Sequence, residues 1–195
     1  MINTNIESLN AQNNLERTEA SIATSMQHLS SGLRVNIAGD DVAAYGIGQR
    51  IQGQLNGINQ AHQNTQDAVS LTQTAQGALN TVQQILQRVR TLAVENANGT
   101  LSKEDKEAVK KAAEELTTEL KRIGETTTFN EVKLLASEEE IKFQVGGNEK
   151  ESIGVKTTKL EEAIKGVKVE EIKTVDEAIN KVSKAAAEFG SIQNR

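Results

Sequence analysis

Residues 42–98 read VAAYGIGQRIQGQLNGINQAHQNTQDAVSLTQTAQGALNTVQQILQRVRTLAVENAN, and the fold follows from how that run is parsed. Ile51, Leu55, Ile58, His62, Thr65, Val69 and Thr72 step by fours and threes. After one slip at Ala75 the stepping resumes through Leu79, Val82, Leu86, Val89 and Ala93. That is the period of a helix face. No proline interrupts it, and Gly53, Gly57 and Gly77 weaken it only locally. At 1.5 Å per residue, roughly 55 residues make a rod about 80 Å long. A rod of that length cannot bury its seam against itself, so other segments must lie along it.

Upstream, Asn5 to Leu29 places Ile6, Leu9, Ile22, Met26 and Leu29 at helical spacing on an otherwise polar helix. So thin a seam is marginal alone in water and points to ordering within an assembly. Gly32 and Gly39 punctuate a connector, with Asp40 or Asp41 placed to cap the long helix. An acid/base or metal reading of that Asp pair lacks a third carboxylate or a His nearby in sequence.

Downstream, Asn98-Gly99 stops the rod and Ser102-Lys-Glu-Asp105 starts a second helix over 102–124, with Ser102 as its cap. Its stripe is Val109, Ala112, Leu116, Leu120 and Ile123, and Gly124 closes it. The short loop makes this helix antiparallel to the rod. In residues 126–157 the period changes to two. Ile141, Phe143 and Val145 alternate, Gly146-Gly147 supplies a turn and Ser152-Ile-Gly-Val155 follows, which predicts a β-hairpin. Phe129 and Leu134 should pack it on the helices. Lys159–Ile164 reads as a short helix and Val167–Ile172 as a short strand. Thr174-Val-Asp-Glu177 caps a last helix over 174–195, with Val175, Ala178, Ile179, Val182, Ala186 and Phe189 on one face. The expectation is a mainly α protein: an antiparallel, coiled-coil-like bundle of long helices with a small β-hairpin subdomain, divided into segments 1–40 and 41–195.

Composition narrows the function. Aromatic residues make up 2 % of the chain and there is no Cys, Trp or Pro, which suits narrow helix seams and excludes disulfides and thiolate chemistry. Two histidines cannot build a His-rich metal site, and no cofactor is expected. A net charge of −5 offers no basic footprint for nucleic acid. No segment approaches the ~20 apolar residues of a membrane span. The N-terminal MINTNIESLNAQNN lacks the basic and apolar regions of a secretory signal. Gly-x-Ser-x-Gly and His-Glu-x-x-His are absent, and an enzyme is not expected. All lysines lie from Lys103 onward, a shift compatible with two domains, two selection pressures or a spliced or redesigned chain.

Four runs then carry a resemblance. His28-Leu-Ser-Ser-Gly-Leu-Arg-Val-Asn36 followed by Gly39-Asp-Asp41 is similar to the N-terminal signature of bacterial flagellins. Leu86-Gln-Arg-Val-Arg-Thr-Leu-Ala-Val-Glu-Asn-Ala-Asn-Gly-Thr100, Thr128-Phe-Asn-Glu-Val-Lys-Leu-Leu135 and Phe143-Gln-Val-Gly-Gly-Asn148 follow in the family's order and cover most of residues 1–155. The resemblance implies a structural subunit of the extracellular bacterial flagellar filament, self-assembling through long helices for motility and exported without a cleavable secretory signal peptide. It also implies that Ser191–Arg195 corresponds to the middle of the C-terminal helix, which in flagellins returns to pair with the N-terminal segment. The partners are then other flagellin subunits, with no membrane and no nucleic acid.

The candidate site is Gln87, Arg88, Arg90, Leu92, Val94 and Glu95. Arg88, Leu92 and Glu95 share a side of the helix away from Leu86, Val89 and Ala93, and an exposed Arg beside an exposed Leu suits a protein-binding patch. By resemblance, this stretch is a subunit contact and the surface seen by the flagellin-sensing Toll-like receptor of animals. The alternative function is therefore a truncated or engineered flagellin core acting as a receptor ligand. One departure is that a family acidic contact on the next helix aligns with Ala112, so Glu114 or Glu115 would have to stand in.

Overall fold

The computed structural model describes residues 5–195, so the first four residues of the expected 1–40 segment and of the N-terminal MINTNIESLNAQNN reading lie outside it. The elements are α1 (Ile6–Ser31), α2 (Val42–Asn96), α3 (Lys103–Thr126), β1 (Thr128–Phe129), β2 (Val132–Lys133), β3 (Glu140–Gln144), β4 (Ser152–Lys156), α4 (Leu160–Ile164) and α5 (Ile172–Asn194). The fold is mainly α, long helices with a small β subdomain, as the periodicities predict. The chain forms two compact units that divide after Asn56, inside α2. No described helix is long and apolar enough to cross a membrane.

The first unit holds α1, the connector and the start of α2. Asn5 caps α1 by accepting from Ser8 N, and Gly32 closes it at φ 68°. That left-handed conformation is the one glycine adopts without a Cβ penalty. None of the residues of α1 is buried, and Leu15, Ile22, Met26 and Leu29 present one apolar face to solvent. In the connector, Asp41 Oδ1 accepts from Ala44 N at 2.9 Å, an N-cap bond to the first turn of α2. Asp40 does different work: its Oδ2 accepts from Asn36 N and Ile37 N and ties the loop to itself.

The second unit is built on α2 from Gly57 onward. α5 runs antiparallel to it. Gln76 lies against Gly190, Gln83 bonds Ser183, and Arg90 bonds Asp176, so seven residues down one helix match seven up the other. A shared step of seven is the signature of a coiled-coil seam. α3 returns along α2 on the opposite flank: Leu116 packs with Val89 and Ala93, whereas Leu120 and Ile123 join Leu71 to Leu86. Phe189, Leu79, Leu86, Leu120 and Val182 form the middle of this core, and each such side chain contributes about 1.5–3 kcal/mol by burial.

The buried face of α2 differs from the one expected below Ala75. It runs Gly57, Ala61, Asn64, Ala68, Leu71, Ala75, Leu79, Val82, Leu86, Val89 and Ala93 by fours and threes, with no slip. Ile51, Leu55, Ile58, His62 and Thr65 belong to another face and are exposed. The cause is the β-hairpin, whose backbone lies so close to α2 that only small or hydrogen-bonding residues fit. A Cβ on Gly57 would meet Gly147 Cα at 3.4 Å, and Asn64 Nδ2 donates to Gln144 O at 3.0 Å. The apparent slip was a jump between two faces.

β3 and β4 pair antiparallel, from Glu140 with Lys156 to Gln144 with Ser152. Leu134 is buried and Phe129 half-buried against the helical core, as expected. β1 and β2 form a second, smaller hairpin whose turn, Asn130-Glu131, holds φ of 47° and 67°. Two consecutive left-handed residues match the right-handed twist of the strands they join. Thr157 is buried; its hydroxyl donates to Ser137 O and accepts from Glu139 N, fastening the loop before β3.

Three further expectations are corrected. Val167–Ile172 is a turn, not a strand: no described strand pairs with it, Glu171 N bonds Lys168 O, and Ile172 already opens α5. Gly124 does not end α3, which continues to Thr126; it is a buried contact that admits Leu160 of α4. Ala112 is exposed and Ala113 fully buried, so the α3 stripe passes through the latter.

Candidate interaction surface

The segment around Arg88 is helical throughout, so its geometry follows from α2 and the two helices flanking it. Leu86, Val89 and Ala93 face the core. Arg90 and Gln83 mark the flank where α5 packs, through Asp176 and Ser183. Leu92, on the side of α2 turned away from Arg90, is 7 % exposed. This overturns its place in an exposed patch. Two flanking helices bury a wider arc of α2 than a single seam would, and that arc takes in Leu92.

Gln87, Arg88, Val94 and Glu95 remain at the surface, with Thr91 between them. Arg90 is also exposed but is occupied, its Nε donating to Asp176 Oδ1 at 2.7 Å. That bond, and then the charge of Asp176, raise the Arg90 pKa above its ordinary value, so the guanidinium is a permanent cation. Arg88 has no ion-pair partner among the described residues. The surface thus offers one free guanidinium, a half-exposed Val94 at 49 %, and the carboxylate of Glu95. Such a set can dock a protein surface; it contains no nucleophile and base arranged for catalysis.

The capping residues behave individually. Ser102 Oγ accepts from Asp105 N at 3.1 Å while Asp105 Oδ2 accepts from Ser102 N at 3.2 Å, a reciprocal capping box. The Ser102 hydroxyl, then its backbone N–H, hold the Asp105 carboxyl below the usual carboxylate range. Thr174 is not the cap of α5. It sits within the first turn, its hydroxyl donating to Glu171 O and accepting from Lys168 N, and so pins the preceding turn to the helix. Asp40 gains a neighbour that sequence distance conceals: His28 Nε2 lies 3.2 Å from its Oδ2. No group of three or more His, Asp or Glu positioned for a metal ion occurs among the described residues.

An apolar groove of about 280 Å³ lies between α2, the β3–β4 hairpin and the end of α5, lined by Val69, Val145, Ile153, Ile192 and Arg195 among others. Its lining supplies no acid–base pair.

Comparison with known proteins agrees with this architecture. The family model for the bacterial flagellin N-terminal helical region matches residues 2–140. The flagellin of Serratia marcescens is 38 % identical over 191 residues, covering 98 % of this chain and 53 % of that protein. The flagellin of Salmonella muenchen is 42 % identical over 155 residues, covering 80 % of this chain and 31 % of its own length. The chain therefore spans between about a third and about a half of these relatives. A crystal structure of Bacillus cereus flagellin superposes with a TM-score of 0.63 at 30 % identity, covering 68 % of this chain and 84 % of that one. With helices, hairpin and sequence in agreement, the chain belongs to the bacterial flagellin family, whose members are structural proteins and not enzymes.

Proposed function

We propose that this chain is a structural subunit of an extracellular flagellar filament, joined to other flagellin subunits through its long helices and serving motility. The observation that carries this is α1. A helix of 26 residues with no buried side chain exposes Leu15 at 59 %, Ile22 at 58 %, Met26 at 62 % and Leu29 at 80 % along one face. An isolated helix of that kind is marginal in water, and burying such side chains contributes about 1.5–3 kcal/mol each. The seven-residue steps from Leu15 to Ile22 to Leu29 suit a helix–helix seam. Ile47, Ile51 and Leu55 add a second exposed apolar stripe near the start of α2. Sedimentation and negative-stain microscopy test the reading. The chain should self-associate or enter a growing flagellin filament, and Ile22→Glu with Met26→Glu should abolish both. A parent chain that stays monomeric and is excluded from filaments would overturn it.

A second reading makes the chain, through the surface of α2, a ligand of a flagellin-sensing Toll-like receptor. It is favoured by Arg88, exposed and free of an ion-pair partner among the described residues, with the exposed Glu95 two turns further along α2. The Arg88→Ala variant should bind an immobilised receptor ectodomain at least ten-fold more weakly than the parent, the scale of a desolvated Arg anchor, about 1.4 kcal/mol or more. Equal binding by parent and variant would sink this reading.

A further inference from the structure

We propose that His28 and Asp40 form a pH-sensitive clasp that holds the connector between α1 and α2 more tightly when the imidazole is protonated. One oxygen gathers the contacts. Asp40 Oδ2 accepts from Asn36 N at 2.9 Å and Ile37 N at 3.0 Å, and His28 Nε2 stands 3.2 Å away. The Asp40 side chain is 12 % exposed and that of His28 32 %, so the pair is partly shielded from solvent.

The contact is poor for a neutral ring and good for a charged one. His28 Nε2 is itself buried and lacks an aligned hydrogen-bond acceptor among the described residues, despite its closeness to the carboxylate. A neutral N–H off the donor axis gains little, because hydrogen-bond strength falls steeply with misalignment. A cation at the same place gains by Coulomb attraction, which needs no alignment. His28 also lies in the last turn of α1, where the carbonyl end of the helix favours positive charge. Its own carbonyl accepts from Gly32 N, so the residue belongs to both helix and connector. Protonation thereby draws Asp40 toward the helix end, and with it the Asn36 and Ile37 backbone that Asp40 holds.

Imidazole is the side chain whose charge ordinarily changes between about pH 5 and 8. Backbone N–H groups of Ile37 and Asn36 foremost, then His28, hold the Asp40 carboxyl below the usual range, so it stays ionised throughout. The Asp41 carboxylate is engaged with Ala44 N on α2. Arg34 lines the same depression as His28 and brings a guanidinium to it. Tyr45 is the titratable side chain in the first turn of α2. The neighbours of His28 one turn away on α1, Thr24, Ser25 and Ser31, carry no charge.

Amide hydrogen exchange of the full chain, followed by NMR and expressed as protection factors, reads the clasp directly. Asn36 and Ile37 should be about two- to five-fold better protected near pH 5 than near pH 7.5, the scale of a helix-end charge and a partly exposed ion pair. His28→Gln should lie flat at the weaker level and His28→Lys flat at the stronger one. His62→Gln, changing the exposed histidine of the other unit, should keep the step. A flat parent profile, a step that survives His28→Gln, or a step removed by His62→Gln would each overturn the proposal.

Discussion

At the scale of single residues, Leu92 and Arg88 separate two roles that helical spacing placed together. Leu92 is nearly enclosed, so Leu92→Ala removes core methyl groups, and thermal or denaturant unfolding should show a loss of about 2–3 kcal/mol. Arg88→Ala should leave stability within about 0.5 kcal/mol, since the side chain is exposed. The arginine is therefore the clean probe of binding, and a double variant would confound binding with folding. Ser102 is a third case. Its hydroxyl satisfies the Asp105 amide at the exposed start of α3, so Ser102→Ala should cost about 1 kcal/mol in urea unfolding. Ser102 was legible because its partner is three residues away; Leu92 was not, because its enclosure depends on tertiary packing that helical spacing does not show.

The elements show where periodicity reads true and where it misleads. Above Leu71, α2 packs on α3 and α5, and the buried positions are the Leu and Val that a hydrophobic pattern finds. From Gly57 to Ala68 the same helix packs against a hairpin, and glycine, alanine and asparagine mark the contact. Hydrophobicity is blind there, since the requirement is close approach and a side-chain amide. The isoleucines nearby lie on a face this chain leaves open. Gly124 is a similar case. A Cβ at that position would stand 3.3 Å from Leu160 Cδ2 and 3.8 Å from Leu135 O. Gly124→Val should therefore destabilise the second unit by about 1–3 kcal/mol through overpacking, despite valine's better helix propensity; a gain in melting temperature would contradict that packing. The turn at Asn130-Glu131 escaped notice because glutamate is uncommon where φ is positive, and only the pairing of β1 with β2 imposes it.

For the whole molecule, the two units differ in what holds them. α1 buries no side chain, whereas α2 beyond Gly57, α3, α4, α5 and the hairpin share a continuous core. Removing residues 1–40 should shift the main cooperative unfolding transition by less than about 1 °C, because few stabilising contacts are lost, while circular dichroism loses the signal of α1. A large fall in that transition would show that the second unit depends on the first. Acid should act on the second unit with a definite sign. The Ser102 hydroxyl holds Asp105 low, and a hydrogen bond from Lys110 at 2.6 Å holds Glu170 low. A carboxyl depressed in the folded state adds stability above its unfolded value and loses it as pH falls through the folded one. Stability should thus decline below about pH 4, modestly, since both groups are exposed.

By itself the sequence determined the long helices, the main hairpin, the Ser102 cap and the family, because each is written in spacings of a few residues or in contiguous motifs. Tertiary structure alone decided which face of α2 is buried, why Gly57 and Gly124 must be small, where Leu92 lies, and that His28 meets Asp40. Those depend on segments far apart in the chain coming within a few ångströms, and the identity of the partner decides whether a position needs bulk, smallness, a hydrogen bond or a charge.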